Sequence, residues 1–98
     1  MTTAELATAL PEIVTEQVPG SKSKELLDRR DAAIPKALCG KTYPICIKQG
    51  SGAMFEDMDG NKFLDWVGGV GVLNIGYSHP EVIEAVKKQT EKYFHTIF

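Results

Sequence analysis

Between Tyr43 and Trp66 the chain changes period, and that change limits what it can fold into. Ile45 and Ile47 alternate with Cys46 and Lys48, and the runs Ala53–Glu56 and Lys62–Trp66 flank Asp57-Met58-Asp59-Gly60-Asn61. Short runs with a two-residue period mark strands. Gly60 can close the intervening turn, because glycine enters the left-handed region without a Cβ clash. Gln49-Gly50-Ser51-Gly52 is expected to break the first strand. Three short antiparallel strands result, about the smallest sheet that holds together.

Helical patterns lie on either side. Ser21 or Ser23 is expected to cap a helix over Lys24–Ala33, with Leu26, Leu27 and Ile34 as its apolar side and Arg29, Arg30 and Asp31 facing water. Ile34-Pro35 ends it, since the residue before proline avoids helical angles. His79-Pro80 opens a second helix predicted over residues 80–94. Val82, Ile83, Val86, Thr90, Tyr93 and Phe94 share one face, and Glu84 is spaced to pair with Lys88. Residues 3–10 form a short helix that Pro11 ends, and residues 1–20 read as an arm, poorly ordered or docking. The expected class is α+β: an N-terminal helix, a three-stranded antiparallel sheet, a glycine-rich loop and a C-terminal amphipathic helix.

Composition excludes several function classes. With 98 residues the chain is one domain or part of one. A hydrophobic fraction of 43% and a charged fraction of 24% argue against disorder. Eleven basic and thirteen acidic residues leave a net charge of -2, so the basic footprint of a nucleic-acid binder is missing. Met1-Thr2-Thr3-Ala4-Glu5 lacks the basic start of a signal peptide, and no apolar run reaches the ~20 residues of a membrane span. A cytoplasmic location is expected, with Cys39 and Cys46 as reduced structural thiols.

Few residues carry chemistry on their own. Asp57, Asp59 and Asn61 alternate like calcium ligands, but an EF-hand loop needs glycine at its sixth position and glutamate at its twelfth. Counting from Asp57, Gly60 is fourth and Gly68 is twelfth, so the segment reads as a turn. Gly69-Val70-Gly71-Val72-Leu73-Asn74 nearly matches a dinucleotide fingerprint, yet Asn74 replaces the third glycine and no helix opens there. That stretch is a loop that either packs closely or faces a ligand. His79 and His95 have no partners at metal-ligand spacing. His79 is expected to cap or orient its helix and His95 to sit in the last turn. Phe55, Phe63 and Trp66 are expected in the core of the sheet. On residues alone, this is an α+β chain without an assigned reaction.

The order of its short motifs carries more. Val14-Thr15-Glu16, Pro19-Gly20-Ser21-Lys22-Ser23, Leu27-Asp28-Arg29-Arg30 and Ala33-Ile34-Pro35 precede the run from Asp57 to Trp66. Gly68-Gly69-Val70-Gly71-Val72-Leu73-Asn74-Ile75-Gly76 and Ser78-His79-Pro80-Glu81-Val82 follow, and then Ala85-Val86, Gln89 and His95-Thr96. Over residues 14–98 this succession resembles the class III aminotransferases, and most closely those of the 4-aminobutyrate type. Tyr77 departs from the pattern, where many members carry histidine.

The resemblance implies the amino-terminal part of a type I pyridoxal-phosphate fold: an incomplete small domain, residues 21–98, leading into the large domain. It implies a homodimer with active sites at the subunit interface, moving an amino group from an ω-amino acid to 2-oxoglutarate. It also implies that Val70, with Gly69 and Gly71 beside it, lines the substrate pocket. The cofactor's Schiff-base lysine, the aspartate for its ring nitrogen, the phosphate-binding turn and the carboxylate-binding arginine would all follow Phe98. The chain alone is therefore expected to bind no cofactor and to have no catalytic residue. Two other readings stand beside this one. The chain could be an autonomous α+β interaction module, self-associating or binding a separately encoded partner, or a retained segment without activity.

Overall fold

In the computed structural model, residues 1–38 and 44–95 are described. Cys39 and the segment through Tyr43 fall outside them, as do Thr96, Ile97 and Phe98. The expected α+β class is found. Strands β1 (Ile47–Ser51), β2 (Met54–Asp57) and β3 (Lys62–Leu64) form one antiparallel sheet in the order β1-β2-β3. Strand β1 does not stop at Gln49: it runs on through Gly50 and Ser51, with Gly50 opposite Phe55 and Ser51 opposite Met54. The break falls later, at Gly52 and Ala53. Gly60 has φ +91 in the second turn, as its spacing predicts.

Helix α1 spans Thr3–Leu6 and lies against β1 and β2. Thr2 and Glu5 form a reciprocal cap: the Glu5 amide donates to Thr2 Oγ1 at 3.2 Å, and the Thr2 amide donates to Glu5 Oε2 at 2.6 Å. Leu6 is fully buried, and only Met54 and Phe55 join it as buried apolar residues among those described. Further along the arm, Glu12 pairs with Lys62 through both backbone bonds and an ion pair. The outer edge of β3 is thereby paired at Lys62, which satisfies that residue's backbone groups.

Helix α2 spans Ser21–Ala33, with Gly20 at its N-cap. The expected Ser21 or Ser23 cap is not made; both residues are inside the helix. Leu26 and Leu27 are half-buried, and Ile34 takes extended angles before Pro35, ending the helix as expected. A short 3-10 turn, Lys36–Leu38, follows. After the sheet come a turn of four residues, α3 (Gly68–Gly71), and helix α4 (Pro80–Thr90).

Helix α4 is shorter than its sequence pattern. It ends at Thr90, so Tyr93 and Phe94 leave the predicted stripe and His95 lies beyond the last turn. Glu84 pairs with Lys87, at 2.7 Å, rather than with Lys88. None of its residues is buried. Val82, Ile83 and Val86 form an apolar face that the described residues do not cover. Among those residues, no helix is long and apolar enough to cross a membrane.

Candidate functional site

The site rests on the Asp57–Asn61 turn, in which each polar side chain has a separate task. Asp57 Oδ1 accepts the amides of Asp59 and Asn61, at 2.9 and 2.8 Å, and its Oδ2 accepts Asn61 Nδ2. This closes the turn from inside, with Asp57 and Asn61 fully buried. Asn61 Oδ1 faces the arm and accepts the amides of Val14 and Thr15 and the Thr15 hydroxyl. Asp59 supplies the cap that α2 lacks: its carboxylate accepts the amides of Lys22 and Ser23, at 2.8 and 2.9 Å. Burial works against the charge on Asp59. Hydrogen bonds from Ser23 and the Lys22 amide outweigh it and hold the carboxyl below its ordinary range.

Asp65 does comparable work for the glycine-rich segment. Its Oδ1 accepts the amides of Val67 and Gly68, at 3.0 and 2.9 Å, and its Oδ2 accepts the Gly69 amide at 3.1 Å. The Tyr77 hydroxyl donates to the same Oδ2 at 2.7 Å. The Tyr77 bond, against some burial, keeps the Asp65 carboxyl below its ordinary range, with the Gly68, Gly69 and Val67 amides adding to the effect. Turn α3 then runs left-handed, with φ of +64, +60, +65 and +76 from Gly68 to Gly71. Val70 is the exception in that series, because a β-branched side chain rarely adopts positive φ.

Tyr77 is fixed from its other side. Its backbone pairs with Gly52, and its ring packs edge-on against Phe55 with centroids 6.5 Å apart. Phe55 in turn stacks on Phe63 at 5.1 Å. Gly76 makes the Tyr77–Gly52 pairing possible: a Cβ there would come within 2.9 Å of the Gly52 backbone.

Between the sheet and α3 lies an apolar cavity of about 690 Å³. Its lining includes Ile47, Phe55, Phe63 and Leu64 from the sheet, Ile45 ahead of it, and Asp65, Val67, Gly69, Val70 and Tyr77 after it. Gly69 and Val70 thus share the lining, whereas Gly71 is not part of it. Trp66 is a correction: it borders the cavity with 88% of its surface exposed, while Phe55 is buried and Phe63 half-buried as expected. His79 occupies the N-cap of α4, yet its side chain makes no capping bond. Cys46 is half-buried and free, its thiol facing the Ser23 carbonyl.

Asp65 and Tyr77 escaped the sequence reading as site residues. An aspartate just ahead of a glycine run is a signal for side-chain-to-backbone turns, and it was available. The partnership with Tyr77, twelve residues on, was not.

A phosphorylated pyridoxal would not be held by this lining. Its phosphate needs cations or free amides, and its aldehyde needs a lysine. No lysine or arginine lines the cavity among the described residues, and Asp65 already occupies the amides of Val67, Gly68 and Gly69. What the cavity offers is an apolar wall.

Comparison with known proteins gives a consistent result. The Aminotransferase class-III family profile matches residues 37–98. An alanine/serine racemase from Pyrococcus horikoshii is 37% identical over 87 residues, covering 89% of this chain and 18% of the racemase. A 4-aminobutyrate aminotransferase from Mycobacterium leprae is 40% identical over 87 residues, covering 89% of this chain and 19% of the enzyme. Among solved structures, an omega-transaminase from Sphaerobacter thermophilus superposes with a TM-score of 0.62 at 28% identity, over 83% of this chain and 20% of its own. The chain therefore spans about a fifth of the length of the relatives it matches.

Proposed function

Because the chain belongs to the class III aminotransferases, we propose that it is the amino-terminal segment of a pyridoxal-phosphate enzyme of the 4-aminobutyrate type. That enzyme would pass the amino group of 4-aminobutyrate, or a related ω-amino acid, to 2-oxoglutarate. Relatives named for 4-aminobutyrate and for 5-aminovalerate support the donor class. A relative named as an alanine/serine racemase matches over a similar length, so the segment's family does not by itself fix the reaction. The cofactor would supply the electron sink for the amino group's carbon.

This chain's part is the apolar wall. The observation that carries the reading is Val70, held out between glycines at the border of a cavity whose described lining has no cation. A branched apolar side chain there can meet a substrate's carbon chain without competing for its polar ends. Gly69 shares the lining, and Gly71 completes the turn. In this reading the active enzyme is a cytoplasmic homodimer, and the 98-residue chain by itself is inactive.

The exposed surface supports incompleteness. The chain exposes 7688 Å², whereas a folded monomer of 10.7 kDa exposes about 5,500 Å². Sequencing the coding DNA beyond Phe98 tests the proposal. Family sequence continuing in frame is the expected result. A stop codon at that point would contradict it and favour the self-standing interaction module.

A further inference from the structure

We propose that Asp65 is the positioning residue of the glycine-rich segment: its carboxylate, tied to Tyr77, selects the left-handed turn α3 and so presents Val70 at the cavity. Glycines permit that turn but do not choose it, since glycine populates negative φ about as readily. Val70 opposes it, because its branched side chain disfavours φ +65. Something must therefore select the conformation: the Val72 and Leu73 amides bond back to the Gly68 carbonyl, and one side chain, that of Asp65, gathers the amides at the start of the turn. Three successive amides, those of Val67, Gly68 and Gly69, converge on the two oxygens of Asp65. Tyr77 holds the second oxygen, and its own backbone is anchored to Gly52 at the end of β1. The sheet thus fixes Tyr77, Tyr77 fixes Asp65, and Asp65 fixes the turn. This geometry stands apart from the substrate role proposed for Val70.

The test is nuclear magnetic resonance on the full 98-residue chain. Positive φ brings a residue's amide and α protons close together, so Val70 should give a strong intraresidue cross-peak at neutral pH. Asp65→Asn should weaken that peak to the intensity of residues with negative φ while the Met54–Asp57 amides keep their shifts. In the unsubstituted chain, the peak and the Val67, Gly68 and Gly69 amide shifts should change together as the Asp65 carboxyl protonates. An undiminished Val70 peak in Asp65→Asn, or a turn unchanged through that protonation, would overturn the proposal.

Two further arms keep the result decisive. Should Asp65→Asn lose the sheet signals as well, the titration of the unsubstituted chain decides. Tyr77→Phe removes the strongest bond to the carboxylate, so the protonation midpoint of Asp65 should move upward. An unmoved midpoint would overturn the Tyr77 tie.

Discussion

Asn61 bonds to both the turn that contains it and the arm that crosses it. Its carbonyl oxygen accepts three donors from Val14 and Thr15, and its amide donates to Asp57. Replacement by alanine would leave one buried oxygen of Asp57 and the part-buried donors of Val14 and Thr15 without their partner, and an unmet buried group costs about 1–3 kcal/mol. Asn61→Ala should therefore lower stability by about 3 kcal/mol, read from the urea midpoint; a loss under about 1 kcal/mol would contradict the assigned bonds. Asp59→Ala should instead speed amide exchange at Lys22 and Ser23. The Asp59 carboxyl is lowered in the folded chain, so its cap is fully present above the unfolded carboxyl's range and is lost as pH falls through the folded value. Protection at those two amides, meaning exchange relative to its intrinsic rate at each pH, should fall over that acid range and stay flat in Asp59→Ala. At this scale the sequence was partly legible. Gly60's turn position follows from local spacing, but the reach of Asp59 to Lys22, 37 residues away, depends on tertiary packing that no local pattern encodes.

The elements extend the same lesson. Strand β1 runs through Gly50 because backbone pairing with Phe55 outweighs a weak local preference. Helix α4 stops at Thr90 although its apolar stripe continues, because nothing described packs against Tyr93 or Phe94 to extend it. Two glycines that look alike in sequence are predicted to differ sharply. Gly76 has φ +83 and touches the Gly52 backbone, whereas Gly71 has φ +76 with open space around it. Gly71→Ala should cost only the left-handed penalty, about 1–2 kcal/mol. Gly76→Ala adds a backbone clash that breaks the Gly52–Tyr77 pairing, so it should cost at least about 3 kcal/mol. Thermal melts of the two variants check the difference, and equal shifts would refute the close approach. Leu6→Ala, at a fully buried site, should detach α1 with a loss of about 2–3 kcal/mol. Faster amide exchange confined to the first ten residues and the neighbouring part of β1 would report it.

On the scale of the whole molecule, the chain is loosely gathered around a small centre. Its radius of gyration is 15.5 Å, against about 13 Å for a compact domain of this length. Val70, Val72 and Ile75 are exposed, and so is the apolar face of α4. A surface of that kind suits further polypeptide rather than water. The family was legible because short motifs recur in order from Val14 onward; Asp65's hold on the turn was not, because it depends on Tyr77 arriving from the far side of the loop. The proposed function gives this chain an apolar wall of an aminotransferase site and puts the cofactor machinery elsewhere. It is tested most directly by incubating the chain with pyridoxal phosphate, 4-aminobutyrate and 2-oxoglutarate, reducing with borohydride, and mapping the label while assaying glutamate. The account predicts label scattered over exposed lysines and no glutamate above the protein-free control. Stoichiometric label at a single lysine, with glutamate formed, would contradict it.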